Sequence, residues 1–342
     1  MIELLWPHRR VVARAAMILV MLTARTAHAD SGDRVAAIRA KLVDPNAGVF
    51  VIAHRGCHNP DPAGTIAVAP ENSTAALQNC LALGVDMMET DVRRSRDGAL
   101  VIMHDETVDR TTDGSGRVGE LTLPQLKALH LRQNFGGAMD PTLTNLRVLT
   151  LEELLAAARG RIMLNLDIKE AIYPQVVTAV IRAGMRDQVL IKSVIDTIKP
   201  PLADRAPYDQ VLYIPIIQNP ARGTPDLAAI LDAQAGGQRR IPAAELNYLD
   251  QSQFQRVRIA ASLDGIRLWA NTLTSVGVLS VIGLGGDEDA LRDPSTWTRL
   301  LSNGITMIQT DEPGALEDYL HGMRSKQDRA CGCTSNTSAY LQ

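Results

Sequence analysis

Residues 49–91 read VFVIAHRG (49–56), a proline-containing loop, NSTAALQNCLAL (72–83), Gly84 and VDMMETD (85–91). An apolar run that ends on polar residues, an amphipathic stretch closed by glycine, and a second apolar run of the same kind describe a strand, a helix and a parallel strand. The unit recurs along the chain. Strands are expected at Val49–His54, Val85–Asp91, Arg161–Ile168, Val189–Val194, Val211–Ile217, Ala244–Tyr248, Ile266–Asn271 and Ile305–Thr310. Between them lie helix candidates at Asn72–Leu83, Leu151–Ala158, Tyr173–Ala183, Asp226–Ala235, Gln251–Ala261 and Pro294–Ser302. Gly84, Gly160 and Gly184 stand where a left-handed helix cap needs no Cβ.

Eight strands alternating with helices predict an α/β chain folded as a (β/α)8 TIM barrel. An open dinucleotide-binding sheet would carry a Gly-rich turn after its first strand, and none follows here. The alternation breaks once, over 105–147, where TTDGSG (111–116) and Gly136-Gly137 are turn-like. That stretch reads as an insertion after strand two, over one mouth of the barrel.

The ends of the chain are different in kind. Arg9, Arg10 and Arg14 precede an uncharged stretch, Ala15–Ala24, and Ala27-His28-Ala29 supplies a cleavage signature, so residues 1–29 read as a signal peptide. The stretch is too short to span a bilayer, and the expected destination is periplasmic or secreted, after cleavage near Ala29. The barrel domain is expected over 30–323. Residues 324–342 lack periodicity and read as a flexible tail. Of 342 residues, 46% are hydrophobic and 21% charged, with a net charge of −3, which becomes −6 without Glu3, Arg9, Arg10, Arg14 and Arg25. No basic run marks a nucleic-acid face, and the partner expected is a small molecule. Cys57, Cys80, Cys331 and Cys333 allow several disulfide pairings, which sequence leaves open.

In such barrels reactive groups gather at the carboxyl ends of the strands. Strand one ends His54-Arg55-Gly56, strand two Glu89-Thr90-Asp91, strand three Asp167-Ile168-Lys169, strand seven Trp269-Ala270-Asn271 and strand eight Thr310-Asp311. Residues two apart project to one side of a strand, so Glu89 pairs with Asp91 and Asp167 with Lys169. Three carboxylates in one mouth repel unless a hard divalent cation binds them, so Glu89, Asp91 and Asp167 are metal-ligand candidates. His54, and His104 at the end of the run 100–103, suit two-way proton transfer. Arg55 and Lys169 supply the cations that grip a phosphate, which together make a phosphodiesterase's set of groups. Asn72 reads as a helix cap, and His58, His130 and His321 as loop or surface histidines.

The series AHRG (53–56), PENS (70–73), GVD (84–86), ETDV (89–92), DG (97–98), MHD (103–105), RTT (110–112), LDIK (166–169), WAN (269–271) and TDEP (310–313) resembles the glycerophosphodiester phosphodiesterase family in content and order. The resemblance implies a TIM barrel with a small insertion after strand two, and one divalent cation, Ca²⁺ or Mg²⁺, at residues matching Glu89, Asp91 and Asp167. It implies His54 and His104 as the acid/base pair, Arg55 and Lys169 on the phosphate, and Trp269 lining the pocket. The implied reaction is hydrolysis of a glycerophosphodiester to glycerol 3-phosphate and an alcohol.

Three positions depart from the pattern. Asp167 stands where Glu is usual, one methylene shorter; the loop Cys57–Ala69 is long; Ser73 and Ser95 replace the commoner Thr. Two alternatives keep the barrel. One is phospholipase D-like or sphingomyelinase D-like phosphoryl transfer on intact lipids, giving cyclic phosphates. The other is a periplasmic binding protein that has lost activity.

Overall fold

A computed structural model describes residues 34–219, 225–273 and 284–331, with side chains to residue 325. The expected signal peptide and Cys333 lie outside the described residues. All eight expected strands form. They are β1 (Phe50–Ala53), β2 (Met87–Arg94), β6 (Met163–Ile168), β7 (Val189–Ile195), β8 (Leu212–Gln218), β9 (Ala243–Asn247), β10 (Arg267–Asn271) and β11 (Ile305–Thr310). Each pairs in parallel with the next, and β1 meets both β11 and β2, so the sheet closes on itself. Three short strands lie outside the barrel: β3 (Leu100–Ile102), antiparallel on β2, and the ribbon of β4 (His130–Arg132) with β5 (Leu143–Arg147).

A helix over residues 34–43, α1, precedes the barrel. The helices that follow are α2 (Thr74–Leu83), α3 (Leu123–Ala128), α4 (Leu151–Ala158), α5 (Tyr173–Arg182), α6 (Leu227–Ala235), α7 (Gln251–Asp264), α8 (Asp287–Arg292), α9 (Ser295–Ser302) and α10 (Pro313–Cys331). The cap of α2 is Ser73, whose hydroxyl accepts from the Ala76 amide, and not Asn72. Gly84 ends that helix at φ 79°, as its sequence position requires. Helix α10 runs on to Cys331, so the first part of the expected tail, 324–331, is helical. Arg, Lys, Gln and Ala favour helix without any apolar stripe, and periodicity alone misses such a segment.

Side chains alternate along each barrel strand, which sorts the interior into layers. Ile52, Met87, Met163, Leu190, Ala243, Trp269 and Met307 form one buried apolar layer, sealed below by Phe50 and by Ile38 and Leu42 of α1. Two residues further along the same strands come His54, Glu89, Asn165, Lys192, Glu245, Asn271 and Gln309, all buried. The barrel is therefore apolar at its base and polar at its mouth. Outside it, a larger core packs the sheet against the helices.

The expected insertion is a folded unit. Val101, Met103, Val108, Val118, Leu126, Leu131 and Val148 give it its own core, continuous with β3. A disulfide between Cys57 and Cys80, whose Cα atoms lie 5.1 Å apart, ties the loop after β1 to α2 and settles one pairing the sequence leaves open. No helix among the described residues is long and apolar enough to cross a membrane.

Candidate active site

The chain turns sharply after β1. Arg55 (φ 53°) and Gly56 (φ 85°) are both left-handed, and a Cβ on Gly56 would sit 2.8 Å from Ala76 Cβ and 2.9 Å from Met88 Cε. Glycine is needed there on both counts. The turn points the Arg55 amide at Glu89, whose Oε2 accepts at 2.9 Å. It also leaves His54 facing β11, where His54 Nδ1 meets Asp311 Oδ1 at 2.7 Å, while Arg55 Nε donates to His54 Nε2 at 3.1 Å. With a donor at Nε2 and a carboxylate at Nδ1, the imidazole is the neutral Nδ1–H tautomer. Burial lowers its proton affinity below that of an ordinary histidine, outweighing the pull of Asp311.

Strand register builds the carboxylate cluster. Asp91 of β2 lies directly beside Asp167 of β6, and the ligand atoms of Glu89, Asp91 and Asp167 fall within 4.8 Å of one another. Burial, and then the charges of Asp91 and Asp167, raise the Glu89 pKa well above the carboxylate range. Asp91 goes the other way: burial opposes its ionisation, but Lys169, His104, Arg55 and the Asn72 amide hold it below that range. Lys169 Nζ bridges Asp91 Oδ1 at 3.0 Å and Asp167 Oδ2 at 2.9 Å. Three crowded carboxylates form an all-oxygen donor set, which fits a hard divalent cation. Asn72, left-handed at φ 56°, donates to Asp91 Oδ2 at 2.8 Å and accepts from the Thr90 hydroxyl at 2.6 Å. It holds the Asp91 carboxylate in place.

On the other side stands His104, its side chain one-third exposed, with Nδ1 2.7 Å from Asp105 Oδ1. Arg110 grips Asp105 through Nε and Nη2 at 2.7 and 2.9 Å. The same guanidinium reaches Glu71 at 2.8 and 2.9 Å, and Arg55 Nη1 reaches Glu71 at 3.0 Å. A continuous chain of charged hydrogen bonds thus runs from Asp311 through His54, Arg55, Glu71, Arg110 and Asp105 to His104. Asp91 acts electrostatically on His54 and is acted on by His104.

The structure brings His54, Arg55, Glu89, Asp91, Asp167, Lys169 and His104 together as the sequence suggests. Trp269 is not with them. It lies in the apolar layer beneath the mouth, fully buried, with Lys192 Nζ 4.7 Å above its ring and its indole N–H on Asn271 Oδ1. Its position two residues below Asn271 makes it floor and not pocket wall.

His58 is the reverse case, fully buried and not a surface histidine. Its Nε2 lies 3.4 Å from Asp311 Oδ1, its Nδ1 2.6 Å from Asn134 Oδ1, and its ring is edge-on to Phe135 at 4.3 Å. Glu71, Asp105 and the partnership of Asp311 with His54 were also not assigned from sequence. Asp105 carried a local signal in its adjacency to His104, and Asp311 one in its place at the end of strand eight. His130 is half-buried on Asp113, and His321 is exposed on α10.

A closed (β/α)8 barrel with a carboxylate cluster and a histidine–carboxylate pair at the carboxyl ends of its strands, and a second such pair just after β3, defines a TIM barrel with a donor set fit for a metal. Residues 54–205 match the model of the Glycerophosphoryl diester phosphodiesterase family. Residues 213–320, the rest of the same barrel, match a domain of unknown function.

Among curated relatives, the glycerophosphodiester phosphodiesterase of Caldanaerobacter subterraneus is 36% identical over 42% of this chain and 57% of its own length. Glycerophosphodiester phosphodiesterase 1 of Rattus norvegicus is 39% identical over 30% of each. The chain thus spans about half or less of the curated relatives it matches. A glycerophosphoryl diester phosphodiesterase from Parabacteroides distasonis superposes with a TM-score of 0.62 at 21% identity, covering 81% of this chain and 87% of that one. An Oleispira antarctica phosphodiesterase, solved with sn-glycerol-3-phosphate, gives 0.55 at 20% identity, covering 80% and 97%. These likenesses show the fold.

Proposed function

We propose that this protein hydrolyses glycerophosphodiesters to glycerol 3-phosphate and an alcohol, with a divalent cation, Ca²⁺ or Mg²⁺, held by Glu89, Asp91 and Asp167. The observation that carries the reading is the pair of imidazoles, each with a carboxylate on Nδ1, beside the cluster of Glu89, Asp91 and Asp167. A bound cation would polarise a phosphoryl oxygen and offset the charge gathering there. His54, neutral and with a lone pair on Nε2 that Arg55 Nε releases when it turns to the phosphate, accepts a proton from the attacking water, while Asp311 steadies the positive charge that develops on the ring. His104, more exposed and backed by Asp105, protonates the leaving oxygen. Arg55 turns its Nε from His54 toward a phosphate oxygen, and Lys169 adds a point charge. Two carboxylate-backed rings of this kind serve proton transfer to and from an ester, which a binding protein has no use for.

The test is direct. Purified protein with Mg²⁺ or Ca²⁺ and glycerophosphocholine should release glycerol 3-phosphate in a dehydrogenase-coupled assay, and chelation should stop it. Phosphorus NMR should show no cyclic phosphate; a cyclic product formed from lysophospholipid alone would replace this reading with the phospholipase D-like one. We also propose export to the periplasm or medium, supported by the basic, apolar and small-residue order of residues 9–29. Amino-terminal sequencing of the protein recovered from its source should begin at Asp30.

A further inference from the structure

Behind His54, away from the carboxylate cluster, a second set of donor atoms converges. His54 Nδ1 and His58 Nε2 approach one oxygen of Asp311, at 2.7 and 3.4 Å. The ligand atoms of all three residues lie within 4.8 Å of one another, and all three residues are buried. We propose that His54, His58 and Asp311 form a transition-metal site that takes Zn²⁺, separate from the hard-cation site, and that filling it disables His54 as a proton acceptor. The binding stands on its own; the consequence for turnover rests on the role given to His54 above.

Ligand chemistry separates the two sites. Imidazole nitrogen suits zinc and its neighbours, whereas carboxylate oxygen alone suits Mg²⁺ and Ca²⁺. Two histidines and one carboxylate are the three protein ligands of several zinc centres that keep a fourth position open. Bonds of roughly 2.0–2.2 Å in a tetrahedron put neighbouring donor atoms about 3.3–3.5 Å apart. The 3.4 Å between His58 and Asp311 already matches, and the contact between His54 and Asp311 has to open by about 0.6–0.8 Å from its hydrogen-bonded length.

The surroundings are also those of a ligand set. Asn134 Oδ1, 2.6 Å from His58 Nδ1, is the carbonyl partner that fixes the ring of a ligating histidine. With its proton on Nδ1 for that bond, His58 turns the Nε2 lone pair toward Asp311 Oδ1. A lone pair set against a carboxylate oxygen at 3.4 Å is a place that a cation, a proton or a metal, relieves. Asp311 is held in turn, its amide donating to Asp287 Oδ2 at 2.8 Å, and Asp287 Oδ1 accepts from the Thr272 and Thr310 hydroxyls.

The proton balance explains the block. Zinc takes the lone pair of His58 Nε2 and releases to solvent any proton held there. It takes the lone pair of His54 Nδ1 as well, so the Nδ1 proton of that ring moves to Nε2. His54 is then a donor at the atom that must accept.

The experiment uses the full chain saturated with Mg²⁺ and titrated with ZnCl₂. In histidine side-chain nitrogen NMR of the wild type, the His54 and His58 signals should move and those of His104 should not. By calorimetry, His58→Gln should weaken Zn²⁺ binding tenfold or more, and Asp167→Asn should leave it within twofold. Shifts at His104, no histidine shift, or unchanged affinity in His58→Gln would each overturn the site, and the NMR arm needs no variant to fold. Where turnover of glycerophosphocholine is present, Zn²⁺ should lower kcat in the wild type and far less in His58→Gln. Zinc bound at these rings without loss of turnover overturns the block. Absence of turnover in every sample refutes the proposed activity and leaves the NMR and calorimetric arms to decide the binding.

Discussion

His54 and Asp311 meet at 2.7 Å although 257 residues separate them in the chain. Closure of the barrel does this: Ala53 of β1 pairs with Thr310 of β11, so the next residue on each strand leaves the sheet at the same rim. The second pair, His104 and Asp105, is made by neighbours in sequence. One chemical arrangement is thus built twice, once by topology and once by a dipeptide.

Asp311→Asn tests the topological pair. An amide on Nδ1 can stabilise the wrong tautomer and gives no charge to steady the imidazolium. Loss of such support is expected to lower kcat by roughly 10²–10⁴-fold, the span of general acid–base effects, with little change in KM. The backbone contact of Asp311 with Asp287 does not depend on the side chain, so the fold should persist by circular dichroism. Equal losses in kcat with a large rise in KM would mean that Asp311 holds substrate instead.

Glu89→Gln separates ligand from strut. Without a cation, Glu89 is a buried carboxyl crowded by Asp91 and Asp167, and a neutral isostere still accepts from the Arg55 amide. Metal-free Glu89→Gln should therefore melt at least as high as metal-free wild type. Added Mg²⁺ or Ca²⁺ should raise the wild-type Tm and leave the variant unmoved, because only a state that binds the cation is stabilised by it. Activity should be lost in parallel.

Trp269→Phe addresses the residue the sequence misplaced. Its indole N–H bonds Asn271 and its ring lies under Lys192 inside the barrel, so the change removes a buried hydrogen bond and packed volume, a loss of about 1–3 kcal/mol. Tm should fall by several degrees while KM stays within twofold. A selective rise in KM would return the ring to the pocket.

How far the sequence could be read depends on where each signal lies. A strand is a local pattern, and β6 or β11 could be placed because an apolar run is bounded by turn residues within a few positions. Residues at the ends of those strands, His54, Glu89, Asp91, Asp167 and Lys169, follow from the barrel rule with no further information. His58 could not be read that way. It leaves β1 in a loop, and what buries it is Asn134 and Phe135 from the insertion and Asp311 from the last strand. Glu71 is similar: a helix-start residue by sequence, it becomes the joint between Arg55 and Arg110 only once the insertion folds down. Trp269 fails for a subtler reason, since a strand's pattern gives the face of a residue but not its height in the barrel.

The disulfide gives a prediction for the loop after β1. Closing the 23-residue separation between Cys57 and Cys80 contributes about 3 kcal/mol by restricting the unfolded chain. Reduction, or Cys80→Ser, should lower Tm by several degrees. Because Cys57 directly follows the Arg55–Gly56 turn, turnover should become more sensitive to temperature than the melting of the barrel itself. Melting curves with and without reductant, run beside activity at each temperature, check both halves.

Glu317 of α10 offers a pH test far from the site. Burial raises its carboxyl to about 7, with Asp86 pushing the same way and Lys41 and Arg324 opposing; its side chain is 14% exposed. A carboxyl whose folded pKa exceeds its ordinary value near 4.5 favours the native state when protonated. Its contribution is therefore full below that ordinary value and is lost as pH rises through about 7. Each unit of that window amounts to about 1.4 kcal/mol. Glu317→Gln copies the protonated form, so the two proteins should melt together at acidic pH and diverge above neutrality, the variant the more stable by several degrees. An equal gap at both ends would mean that packing of the amide, and not titration of the carboxyl, sets the difference.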